Sequence, residues 1–241
     1  MNPKWKTAAL APLLAAAMVL AAASSAPEKD APGEKHWAAS WIAPAEPAWA
    51  SDFVLPLGMP AELHDSTLRQ YLRTGIGGER MRIVVDNRYS DSPLTVGRAH
   101  VARQGQGAGV PVSFQGRQGV VVGAGARAVS DPVALPVAAG TRLQVDLYLP
   151  GRTRLGGFHW DARERTLLLA GDRAGQAAAP DAQALSTRAF LSAVLVESSP
   201  RPAAVAALGD SITDGNGATP GADKRWPDAL AARLAPGGVA V

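Results

Sequence analysis

Apolar residues fall at every second position through the middle of this chain, in runs of strand length. Met81, Ile83 and Val85 alternate with Arg82, Val84 and Asp86. Leu143, Val145, Leu147 and Leu149 alternate with Gln144, Asp146 and Tyr148. Side chains on a strand point alternately to its two faces, so this pattern predicts strands with one face in a core. Further strand candidates are 67–74, 94–103, 110–114, 119–122, 166–170 and 188–197. Gly, Pro, Asn and Asp punctuate them, at 75–78, 90–93, 105–109, 123–125, 151 and 156–157. Seven or eight short strands with such turns predict an antiparallel β-sandwich over residues 37–198, less than about a tenth of it helical. Hydrophobic residues make up 47% of the chain and aromatics only 5%, so the core must be built from Ala, Val and Leu. No internal repeat is evident.

The region before this has a different character. Lys4 and Lys6 precede the apolar stretch 8–23, and small residues at 21–23 or 24–26 offer a cleavage site. Residues 1–26 therefore read as a secretory signal peptide. The stretch is short and Ala-rich against the roughly 20 residues of a membrane span. The expectation is a cleaved leader, a secreted protein (extracellular or periplasmic) and no stable membrane span after cleavage. There is no Cys, hence no disulfide and no lipid-bearing Cys. The formal net charge is +3, and the leader holds two Lys and no acid, which leaves the rest at +1. Such a balance argues against nucleic acid as a partner. Residues 27–36 read as a charged linker. The Trp-bearing segment 36–49, broken by Pro44 and Pro47, is expected to cross a domain surface without forming a helix. Trp37, Trp41 and Trp49 could form a sugar-stacking platform; the reading adopted is packing between segments.

At Ser198-Ser199-Pro200-Arg201-Pro202 the grammar changes. The apolar run 203–208 reads as a buried parallel strand, and it stops at Gly209-Asp210-Ser211-Ile212-Thr213-Asp214-Gly215. A Gly-rich stretch continues to Gly221. Residues 226–234 then predict a helix, with Pro227 in its first turn and Trp226, Leu230 and Leu234 on one inward face. Pro236-Gly237-Gly238 stops it, and Val239-Ala240-Val241 looks like the opening of a second strand. This is β-α-β grammar, and ligands of open α/β sheets bind at the carboxyl ends of the strands, where Ser211 lies. The five-residue elbow of the α/β-hydrolases needs Gly where this chain has Thr213, so the serine site is of another kind. Phosphate-loop, dinucleotide and metal-ligand spacings are missing. No cofactor is expected. Asp214 reads as a turn residue serving nearby backbone N–H groups.

The stretch from Ala206 to Leu234, with Gly209 to Gly215 and then Arg225-Trp226-Pro227, resembles the first block of the SGNH, or GDSL, hydrolases. The upstream half resembles the β-rich extension of a secreted branch of that family, at 36–41, 68–70, 80–87, 93–97 and 130–133. The resemblance implies a sandwich at 37–198, followed at 203–241 by the first β-α unit of an α/β, flavodoxin-like, hydrolase domain. It implies Ser211 as the nucleophile of an esterase or lipase, with the Ser211 backbone N–H as one oxyanion donor and Gly209 and Asp210 shaping the loop. The implied substrate is a small-molecule or polymer carboxylic ester, such as a lipid or an acetylated polysaccharide. The family's remaining oxyanion donors, a Gly and an Asn, and its Asp-x-x-His have no matching positions here. Residues 212–241 contain no His, and His36, His64, His100 and His159 all precede Ser211. All four read as surface or packed residues; His159, beside Trp160, is the one that could border a cleft. The chain is thus expected to be a fragment without esterase activity. The rival reading is a non-catalytic β-sandwich that binds a glycan or a partner surface and carries a remnant hydrolase unit.

Overall fold

The computed structural model describes residues 34–177 and 180–241. The leader at 1–26, and the linker at 27–36 up to residue 33, lie outside the described residues. The alternation seen in the sequence becomes two antiparallel sheets. One has four strands in the order His36–Ile42, Leu191–Ser198, Met81–Asp86, Arg127–Val129. The other has six, in the order Gln183–Leu185, Thr166–Ala170, Ser66–Arg73, Arg142–Leu149, Arg98–Arg103, Val110–Val112. Short two- and three-residue ladders join the loops, and no helix precedes Ser211 among the described residues.

The inner faces meet in one apolar core. Met81, Ile83, Val85, Val194 and Val196 come from the smaller sheet, and Leu68, Leu72, Leu143, Val145, Leu147 and Leu149 from the larger. All eleven are essentially sealed from solvent. Each buried aliphatic side chain contributes about 1.5–3 kcal/mol relative to exposure, so this sandwich-like layer dominates the stability of the chain. Register keeps the face consistent: Leu143 lies opposite Leu72, and Leu147 opposite Leu68. A slip of one residue would turn the whole row outward.

On the other face of the larger sheet the same period places Arg69 opposite Asp146. Both are buried. Arg69 Nε and Nη2 donate to the two Asp146 carboxylate oxygens at 2.8 and 2.9 Å. The segment 173–176 closes over the pair, with Gly175 N–H donating to Asp146 at 2.9 Å and the Gln176 carbonyl accepting from Arg69 at 2.7 Å. A buried ion pair is tolerable only with such additional bonds.

The structure differs from the sequence reading at several places, and the outer strands Arg127–Val129 and Gln183–Leu185 were not among its candidates. Residues 36–42 form a strand at the edge of the smaller sheet, antiparallel to Leu191–Ser198 and bulged between Ala39 and Trp41. The bulge breaks the period of two, which hid the strand. The 94–103 candidate is two strands, Leu94–Val96 and Arg98–Arg103, split at Gly97. Most consequentially, the strand expected at 203–208 does not form. Its one sheet contact among the described residues is a parallel bridge between Ala204 and Ala240. Val205 N–H donates to the Ala240 carbonyl at 2.8 Å, and Ala240 N–H to Ala203 at 2.9 Å. Leu208 is 99% exposed. A parallel strand is stable when both faces are covered, and among the described residues nothing covers this one. The described residues therefore hold no α/β unit.

The Trp residues sit in separate environments. Arg82 lies over Trp37 at 4.4 Å and Arg188 over Trp41 at 4.8 Å. Trp49 packs against Phe53, Phe158 and Trp160. These are packing contacts, and among the described residues no ring contact joins Trp37, Trp41 and Trp49 to one another.

Candidate functional site

Ser211 opens a one-turn helix, Ser211–Asp214. The turn is set by its neighbours. Asp210 is the N-cap, and its carboxylate accepts from Ile212 N–H at 3.0 Å. Its carbonyl accepts from Asp214 N–H, also at 3.0 Å. Gly215 ends the helix at φ 96°, a left-handed conformation that favours Gly. Gly215 and Asn216 both donate their N–H to the Ser211 carbonyl, at 3.0 and 2.7 Å. Gly209 lies beneath the turn. A Cβ there would stand 2.1 Å from Thr213 Oγ1 and 2.6 Å from Thr213 Cβ, so no larger residue fits without opening the loop. Ser211 itself is exposed. Among the described residues nothing hydrogen-bonds its hydroxyl.

The nearest histidine partner of this turn reaches its far end. His159 Nε2 lies 3.0 Å from Asp214 Oδ1, and Nδ1 lies 2.8 Å from the Pro44 carbonyl. The backbone of His159 is paired with Arg188 in both directions, at 2.8 and 3.0 Å, which fixes the ring's origin. Both ring nitrogens therefore face acceptors. A carbonyl can only accept, so Nδ1 carries a proton; an ionised carboxylate can only accept, so Nε2 carries one too. This arrangement suits the imidazolium, the form in which both ring nitrogens donate. Burial by itself would lower its pKa, but the hydrogen bond and charge of Asp214, aided by the Pro44 carbonyl, raise it above the ordinary histidine value. An imidazolium with no free nitrogen cannot take a proton from Ser211.

Asp214 thus departs from the expected role. Its carboxylate holds His159, 55 residues away, instead of capping its own turn. Neither residue carries a local sign of the other, and only the fold brings them together.

Further polar contacts bind the following loop to the sheets. Arg163 donates to the Asn216 side chain at 3.0 Å and to the Ala218 carbonyl at 3.2 Å, and is itself held by Asp161. Arg142, at the start of a central strand, donates to Glu164, to the Gly221 carbonyl and to Asp223, at 2.9, 2.9 and 2.6 Å. Gly221 N–H returns a bond to the Arg163 carbonyl at 2.8 Å. Arg188 lies nearby, with its Nη2 on the Tyr71 carbonyl at 2.7 Å. Burial lowers its pKa to about 10. Residues 159–164 and Arg142 therefore form a polar seam against 214–223. None of these pairings was legible in the sequence.

The helix Trp226–Leu234 forms where the sequence placed it, with its first turn tied by Arg225 and Asp228. Its apolar face is not buried: Trp226 is 47% exposed, and Leu230 and Leu234 are only half-buried. The Trp226 indole N–H reaches back to Thr213 Oγ1 at 3.4 Å.

No group of His, Asp or Glu among the described residues is arranged to hold a metal ion. No helix among them is long and apolar enough to cross a membrane. The comparisons with known proteins add no relative: no protein-family model and no curated protein matches the chain.

Proposed function

We propose that Ser211 is the nucleophile of a secreted serine ester hydrolase of the SGNH type, and that 203–241 opens its α/β domain beside the sandwich. The observation that carries this reading is the presentation of Ser211. Its hydroxyl is exposed and uncommitted at the start of a turn that Gly209, Asp210 and Gly215 fix in shape. The lone parallel bridge Ala204–Ala240 fits the beginning of a parallel sheet. In the reaction Ser211 Oγ attacks the ester carbonyl carbon while a histidine base takes its proton. The Ser211 N–H donates to the developing oxyanion. The alcohol leaves with the proton, and water then cleaves the acyl-enzyme by the same path. Substrates are carboxylic esters, either acyl chains on lipids or acetyl groups on polysaccharide, and no cofactor takes part.

His159 is not the base in this reading, because both of its nitrogens are engaged. The purified 241-residue chain is accordingly expected to turn over a short-chain nitrophenyl ester no faster than buffer. Turnover above buffer that is lost in Ser211→Ala but kept in His159→Gln would point to a base elsewhere. The coding DNA past the Val241 codon supplies the decisive test. About 150 further residues with an Asn loop and an Asp-x-x-His would complete a domain of ordinary size. The longer protein should then hydrolyse the ester, with a loss of at least about a thousandfold in Ser211→Ala. A stop codon directly after Val241 would favour a binding module instead.

A further inference from the structure

We propose that His159 is a positioning residue, a cationic clamp through which the β-sheets hold the Ser211 turn in place. The geometry assigns this role. Asp214 ends the same helical turn that Ser211 begins, and Asp214 N–H is bonded to Asp210, the residue that caps the turn. Anchoring the Asp214 carboxylate therefore anchors Ser211 through one turn of backbone. On the other side His159 is held through both its ring and its backbone. Its ring is tied to Pro44 and its backbone to Arg188, within a strand bridge. Its side chain is only 16% exposed, whereas that of Asp214 is 39% exposed. The pair thus joins the His159–Arg188 bridge, beside the sheets, to the open side of the turn.

The clamp depends on the charge of His159. Asp214 and the Pro44 carbonyl favour the imidazolium, and the buried Arg188 opposes it. Asp86 and Arg88 line the same small cavity as His159, and Arg225 adds a positive charge that acts on Asp214. The sign follows from the raised pKa. Stabilisation is fully present below the ordinary histidine value near 6.5 and disappears as pH rises through the higher folded value. The clamp on the Ser211 turn is therefore strongest in acid and is lost as pH rises through the raised His159 value. As a statement about catalysis this rests on Ser211 being the nucleophile; as a statement about the turn it does not.

Amide exchange on the full chain tests it. The amides of Asp214, Gly215 and Asn216 are hydrogen-bonded within or next to the turn. At fixed pH near 6, their protection should fall by about ten- to a hundredfold in His159→Gln, as befits the loss of a charge-assisted bond. Asp214→Asn, at a half-exposed site, should give the same loss without touching the core. Amides of Leu143–Leu149 should be unchanged in both variants. In the parent chain the protection, corrected for intrinsic exchange, should fade with pH in step with the His159 ring proton seen by NMR. That dependence should vanish in His159→Gln. Equal protection in parent and variants would overturn the proposal. So would a pH dependence that persists without His159, or a His159 that titrates at or below 6.5. None of these readouts uses an ester, so a failed hydrolase assignment leaves them standing, and a failed clamp leaves the Ser211→Ala assay to judge that assignment.

Discussion

Asp146→Asn removes one charge and almost no volume, yet it should be among the most damaging single changes in the chain. Arg69 is 0% exposed, so its guanidinium has no water to turn to. Asp146 supplies it with two bonds, at 2.8 and 2.9 Å, and takes a third from Gly175 N–H. Asparagine keeps one acceptor oxygen and points an NH2 group at donors on the other side. The result is an uncompensated buried cation. Breaking a buried pair in this way costs about 3–5 kcal/mol. For a domain of this size each kcal/mol shifts the melting temperature by about 2–4 °C, so a drop of about 6–20 °C is expected. The companion experiment is the double change Arg69→Met with Asp146→Leu. It removes both charges, together with the Arg69 Nη1 atom that has no partner even in the native fold. The double variant should recover most or all of the loss. Urea unfolding with a constant m-value is the assay for both. A single-variant cost below about 1 kcal/mol, or a double variant no better than the single, would refute the reasoning.

The core predicts in a simpler way: Leu147→Ala, at a site with no exposure, should cost about 2–5 kcal/mol in the same urea assay. Gly215→Ala places a Cβ 2.3 Å from Arg225 Cγ on a backbone at φ 96°. It should raise protease sensitivity within 209–225 while near-ultraviolet dichroism of the sheets stays unchanged, and a variant cut no faster than the parent would count against the packing described. Residues 203–241 should be the least protected part of the described chain. If amides of 205–208 exchange as slowly as those of Leu143–Leu149, a second core exists that the exposed Leu208 and Ile212 do not reveal.

The sheets were legible because their signal is local. A period of two survives in any stretch that packs one face, and 81–86 and 142–149 carry it plainly. Where a bulge interrupts the period, as between Ala39 and Trp41, the strand escaped notice. The 203–208 run failed for the opposite reason. Its composition is that of a buried parallel strand, but composition specifies what a segment needs, not whether neighbours provide it. Among the described residues they do so only at Ala204. The site divides along the same line. The shape of the Ser211 turn follows from adjacent residues, with Gly209 under Thr213, Asp210 on Ile212 N–H and Gly215 in a left-handed cap. All of these lie within seven positions and could be seen as a word. What holds the turn does not lie within a word. His159, Arg163 and Arg142 come from a loop and a strand 53 to 81 positions earlier, and each contact is a charge meeting a charge or a carbonyl. Charged side chains on a strand or a turn look the same in sequence whether they face water or a partner. A polar seam is therefore the kind of contact that sequence conceals best. It also suits this junction. An apolar interface would need 214–223 to be hydrophobic, and the Gly-rich loop after the serine leaves no room for that. Charges can fix a glycine-rich loop through its carbonyls, as Arg142 does at Gly221 and Arg163 at Ala218, in addition to its few polar side chains, Asn216 and Asp223.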